Sequence, residues 1–111
     1  VADASDPGLP GRGRFDTLLT SELRFYIMTV LTLYPSADFV FLKQQLEATD
    51  GNLGANLTKL EEAGYLTVKK EFVGKKARTT YTATPQGMGR LSAHLEAMAE
   101  VQDRLKQEKH P

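Results

Sequence analysis

Cysteine is absent from the 111 residues, which excludes a disulfide framework and any thiolate metal site. No apolar run approaches the length of a membrane span, and the N-terminus lacks the charged-then-apolar layout of a signal peptide. A cytoplasmic protein with no membrane association is therefore expected. Catalytic signatures are missing as well. The chain holds no Ser/His/Asp arrangement around a strand turn, no phosphate-cradling glycine loop and no metal-ligand spacing. Neither an enzyme nor a cofactor is expected.

Charge of either sign is also missing in sum, since the formal net charge is +0. Taken alone, neutrality argues against a nucleic-acid partner. The distribution argues otherwise: Lys69, Lys70, Lys75, Lys76 and Arg78 share one short stretch with a single acid, Glu71. A neutral protein with a concentrated basic patch still carries a local electrostatic footprint.

What is present is one domain's worth of chain with ordinary globular composition, 41% hydrophobic and 25% charged. Residues 1–14, "VADASDPGLPGRGR", hold Pro, Gly and charge with no apolar period and read as a flexible arm. Apolar periodicity begins at Phe15. Ser21 is placed to cap a helix in which Leu23, Ile27, Val30, Leu31 and Tyr34 recur at helical spacing, and Pro35 ends it. Asp38 caps a second, short helix, "FVFLKQQLEA", with Phe39, Leu42 and Leu46 on one face. Thr49 or Asp50 caps a third, with Leu53, Leu57 and Leu60 as its stripe and Gly64 where a left-handed residue is wanted.

The period then switches to alternation. "YLTVKKEF" and "TTYTAT" read as two strands joined by "VGKKAR" around Gly74. Thr84 and Pro85 restart a helix that runs to about Glu108. Met88, Leu91, Leu95, Met98 and Leu105 form a coiled-coil-like stripe on a helix roughly 35 Å long. So small a body cannot cover all of it, and part is expected to meet another chain. Three helices, a hairpin and a last long helix predict a mainly α fold with a small β-hairpin, the layout of a winged helix-turn-helix. The division is an arm at 1–14, a DNA-binding domain at 15–84 and a dimerisation helix and tail at 85–111.

"FDTLLTSELRFYIMTVL", "FVFLKQQLEATDGNLGANLTKLEEAGYL" and "TPQG", in this order, resemble the winged-helix transcriptional regulators of the MarR and ArsR type. The likeness is to the small one-domain dimeric group and covers Phe15 to about Met98. It implies a homodimer that binds a pseudo-palindromic site on double-stranded DNA and usually represses transcription; in many members a small-molecule effector alters that binding, and the dimer interface is the candidate place for one here. Two departures stand out. ArsR-type metal sensing through Cys and His clusters is not expected, with no cysteine and with His94 and His110 far apart. Similar regulators often carry Ser where Gly54 stands, so the hydroxyl that would touch a phosphate is missing.

In a helix-turn-helix the N-terminal residues of the second helix meet base edges. On a helical wheel Ala55 points away from the leucine stripe, Asn52 and Lys59 share an exposed flank, and Asn56 lies on that flank nearer the core edge. Asn suits adenine, Lys suits guanine or phosphate, and Ala suits a thymine methyl. Gly51 and Gly54 would let the backbone approach, unless Gly54 serves only a close crossing of the preceding helix. Lys75, Lys76 and Arg78 are the expected phosphate contacts of the wing, unless they only protect exposed strand edges; of Lys69 and Lys70, which point to opposite faces, at most one is expected to help. Leu18, Leu19, Met88, Leu91, Leu95, Met98 and Leu105 are the expected dimer interface. Arg24 is expected either to bond within the domain or to approach phosphate, and His94 to occupy a polar interface position. Tyr26, Tyr34 and Phe41 are effector-pocket candidates between the first and last helices, or plain packing. The alternative function is a winged helix that binds protein rather than DNA, docking through its last helix.

Overall fold

Four short polar side chains start the four helices. Ser21 Oγ accepts from the Arg24 N–H, Asp38 Oδ1 from Phe41, Thr49 Oγ1 from Asn52, and Thr84 Oγ1 from Gly87. Each bond satisfies an otherwise orphaned N–H of the first turn and contributes about 1 kcal/mol. In the computed structural model, which describes residues 8–107, these caps open α1 (Glu22–Leu33), α2 (Phe39–Leu46), α3 (Asp50–Glu62) and α4 (Pro85–Gln107). Residues 1–7 of the arm, Glu108 and His110 lie outside the described residues.

α1 ends at the Tyr34 cap, immediately before Pro35. α2 stops at Leu46, two residues short of the expected "EA", because Glu47 turns left-handed (φ 49°). Gly64, at φ 81°, closes α3 in the conformation that glycine adopts without strain.

The sheet has three strands rather than a lone hairpin, in the order β1-β3-β2. β2 (Leu66–Val73) and β3 (Lys76–Ala83) pair antiparallel from Leu66↔Ala83 to Val73↔Lys76. The connection is thus two residues, Gly74 and Lys75, and not the six expected. Gly74 takes φ 66° at the first central position, as a type II′ hairpin turn requires. The added strand, β1 (Ala37–Asp38), pairs with Tyr81 and Thr80 of β3. Two residues carry no period, so nothing local announced it. Its pairing sets the hairpin against the start of α2.

The core is built where the helical stripes converge. Ile27, Met28, Leu42, Leu53, Leu57, Leu60 and Leu66 are all at most 2% exposed, and burying each such side chain contributes about 2 kcal/mol. Leu19, on a 3-10 turn at Thr17–Thr20, and Leu91 of α4 belong to the same core. Both were expected at a dimer seam; burial within the protomer removes them from it. Leu18 is partly buried against the core. His94 is corrected likewise, being 4% exposed inside the protomer instead of at an interface.

Residues 8–14 lie along α4. The Gly11 backbone meets the Ala97 carbonyl so closely that a Cβ would be 2.9 Å from it, and Arg14 pairs with Glu100. The molecule is elongated, measuring 66 × 23 × 23 Å. After Ala97 no described residue of α4 is buried. Among the described residues, no helix is long and apolar enough to cross a membrane.

Candidate nucleic-acid interface

α3 buries Leu53, Leu57 and Leu60 and turns Gly51, Asn52, Ala55 and Lys59 outward. Apart from the adjacent residues and the helix's own backbone, a Cβ added at Gly51 or at Gly54 would find no described atom within 4 Å. That disposes of the packing explanation for Gly54: no helix crosses there. By contrast a Cβ at Gly87 would sit 2.1 Å from the Tyr65 carbonyl oxygen, so that glycine is required by the fold itself. Two glycines inside a helix cost about 1 kcal/mol each relative to alanine. On α3 the chain's own packing gives nothing in return.

Asn56 departs from the expected role of base reader. It is 8% exposed and both ends of its amide are engaged. Its Oδ1 accepts from Arg24 Nη1 at 2.7 Å, and its Nδ2 donates to the Asn52 backbone oxygen at 2.8 Å and to Asn52 Oδ1 at 3.0 Å. Arg24 also donates from Nε to the Leu18 carbonyl at 2.7 Å. Of its two expected roles, bonding within the domain is the one observed: Arg24 ties the 3-10 turn and α1 to the first turns of α3. The wheel had placed Asn56 near the core edge, and that was the signal for its burial.

The far end of α3 is held just as firmly. Thr84 Oγ1 donates to the Gly64 carbonyl at 2.7 Å, and the Thr84 N–H donates to the Tyr65 carbonyl. The Tyr65 hydroxyl donates to Asp16 Oδ2. Burial, followed by this bond to a carboxylate, pushes the Tyr65 hydroxyl up to about 12. Asp16 and Tyr65 escaped sequence reading because their partners are far away along the chain. The presented helix is therefore braced at both ends.

The wing carries Lys75 in its turn and Lys76 at the start of β3, both exposed and outside any ion pair among the described residues. Arg78 lies further in, with Nε 3.5 Å from Asp38 Oδ2, so its charge is partly answered within the domain. Lys69 stands 3.6 Å from Glu71. Lys43 of α2 is paired with Asp50 at 2.7 Å.

Met88, Leu95, Met98 and Leu105 leave 38–66% of their surface exposed on α4. Leu95, Met98 and Leu105 line a shallow hollow with Ala99, Val101 and Gln102. Tyr34 and Phe41 stack edge to face at 5.2 Å between α1 and α2. Tyr26 borders a hollow between α1, the α2 end and Asn52. The three aromatics thus do not line one pocket between the first and last helices.

Known proteins share this arrangement. An uncharacterised protein of Methanocaldococcus jannaschii is 34% identical over 70 residues, covering 63% of this chain and 76% of its own length. The structure of a transcriptional regulator homologue from Pyrococcus horikoshii OT3 superimposes with a TM-score of 0.74 at 28% identity, over 79% of this chain and 87% of that one. A PadR-like transcription factor from Bacteroides fragilis shares the fold, with a TM-score of 0.69 at 21% identity over 78% of this chain and 88% of that one. The resemblance to MarR- and ArsR-type regulators is compatible with these two structural neighbours, a transcriptional regulator homologue and a PadR-like transcription factor. Residues 23–101 match the family model of the winged helix DNA-binding domain, and the protein belongs to that family.

Proposed function

We propose that the protein is a dimeric, sequence-specific transcriptional regulator, and a repressor, that lays α3 in the major groove and its wing on flanking phosphates. The observation that carries this reading is the open face of α3, where Gly51 and Gly54 leave space that no described residue fills. A helix that gives up stability for a flat surface is suited to close approach by another molecule. Asn52, Ala55 and Lys59 supply groups that match base edges there. Lys75 and Lys76 supply unpaired cations for the backbone. The exposed stripe of Met88, Leu95, Met98 and Leu105 is the dimer seam, and an effector acts by binding along it.

Selection of bound DNA from a random pool tests the reading. Enriched sequences should contain two half-sites in inverted orientation, about 10 base pairs or a multiple of that apart. Affinity for the selected site should fall steeply with salt as counterions are released. A protein-docking role for the same α4 stripe is the competing reading, favoured by its exposure. Light scattering after size exclusion, with a DNA shift assay, separates the two: a monomer without DNA affinity is a docking module.

A further inference from the structure

The bonds behind Asn52 run in one direction only. Arginine has donors and no acceptor, so Asn56 must turn its oxygen toward Arg24 Nη1, 2.7 Å away. Its Nδ2 must then face Asn52, where it meets the backbone oxygen at 2.8 Å and the side-chain Oδ1 at 3.0 Å. That bond in turn fixes the amide of Asn52, the exposed member of the three. Its oxygen is engaged by Asn56, and its NH2 group is the end without a hydrogen bond among the described residues. Arg24 itself cannot turn away, because Nε is held by the Leu18 carbonyl at 2.7 Å. It makes no ion pair among the described residues, so no carboxylate competes for the fork.

An unconstrained asparagine offers a donor and an acceptor side by side, which is why it suits adenine, whose major-groove edge pairs an N7 acceptor with an N6 donor. An asparagine that shows only its NH2 matches two adjacent acceptors instead. Guanine presents that edge, with N7 and O6. We propose that Arg24 and Asn56 are positioning residues that set Asn52 as a donor and thereby make α3 prefer guanine over adenine at the base pair it meets. This rests on the DNA-reading function proposed above and adds the base preference and the residues that impose it. Asn56 touches no DNA in this scheme, so its effect on specificity is indirect.

The test combines base selection with one measurement on the free protein. In the random-pool selection, wild type should enrich guanine over adenine by about ten-fold at one position of each half-site, the usual worth of one good contact. Asn52→Ala should lose that preference while keeping the others. Asn56→Leu places an apolar side chain of similar size at the core edge and frees the Asn52 amide to turn. It should bring guanine and adenine to near parity at that position alone. In the free wild-type protein, NMR should find the Asn56 side-chain NH2 exchanging at least about ten-fold more slowly than that of Asn52, since one is bonded and buried and the other is not. Adenine at the Asn52-dependent position overturns the inference while leaving DNA reading intact. So does an Asn56→Leu variant that binds every sequence uniformly more weakly with unchanged preference, or equal exchange of the two amides. Failure of wild type to enrich any sequence overturns both this inference and the function beneath it.

Discussion

The backbone N–H of Asp16 donates to Nδ1 of His94 at 2.9 Å, across 78 residues of sequence. Because Nδ1 accepts, the imidazole N–H of the neutral ring sits on Nε2. The ring is further held by Phe15, edge-on at 5.4 Å, and by Phe25 at 6.0 Å. Asp16 meanwhile accepts from the Leu18 N–H through Oδ1 and from Tyr65 through Oδ2. One short turn thus joins α4, the end of α3 and the start of the 3-10 turn. Any movement of the last helix must carry α3 with it or break this junction.

Tyr65→Phe should reveal what the junction contributes. It strips Asp16 Oδ2 of its donor in a buried place, at a cost of about 1–3 kcal/mol in urea unfolding. A pH dependence accompanies it. An unfolded tyrosine loses its proton near pH 10, whereas Tyr65 in the fold holds it to about 12. The native state therefore binds more protons in that window. The contribution is complete below about pH 10 and is lost as pH rises through about 12. Tyr81, raised by burial, adds to the same decline. Tyr65→Phe should flatten part of it, and parallel losses in variant and wild type would assign the decline elsewhere.

Glycine substitutions should separate stability from binding. Gly54→Ala meets open space and should raise stability by about 1 kcal/mol. The same change should weaken operator binding by roughly ten-fold if backbone approach matters. Gly87→Ala drives a Cβ into the Tyr65 carbonyl and should cost about 3 kcal/mol. Thermal melts and DNA titrations on the two variants measure both effects. Undiminished binding by Gly54→Ala would remove the close-approach argument.

The α4 stripe yields a prediction about mass. Leu95→Glu with Met98→Glu places charge on an exposed face and should convert a dimer to monomer in analytical ultracentrifugation, with the protomer still folded. Leu91→Ala should behave differently. It opens the protomer core and should cost about 2–5 kcal/mol whatever the association state. A stable dimer in the double-glutamate variant would place the interface on another surface.

Wing lysines should act through salt. Removing Lys75 and Lys76 together should weaken all DNA sequences alike and reduce the slope of log affinity against log salt by about two units, near one for each lost phosphate contact. Arg78→Ala should change the slope less, since Asp38 already answers part of its charge. A larger effect at Arg78 would reverse that assignment.

Much of this architecture was legible along the chain because its signals are local. The Ser21, Asp38, Thr49 and Thr84 caps, the stripe of Leu53, Leu57 and Leu60, and the Gly64 stop each involve residues within one or two turns of each other. Periodicity reports which side of a helix is apolar, and the structure buries the stripe of α3 but only Leu91 of the α4 stripe. It does not report what the apolar side is buried against. Leu19 and Leu91 looked like seam residues for that reason, and both are buried in the core of the protomer.

Sequence by itself therefore determined the winged-helix order, the position of the helix with the small-residue outer face and the location of the basic wing. Each follows from backbone propensity and from hydrophobic spacing over short distances. Only the tertiary structure decided that Asn56 faces inward, that Gly54 has no neighbour to accommodate, and that Arg78 is partly paired. It alone joined Asp16 to His94 and Tyr65, and Arg24 to Asn56. Those relationships are hydrogen bonds and ion pairs between residues 32 to 78 positions apart. Such bonds need a few ångströms of separation and a defined angle. Only the packed chain supplies both.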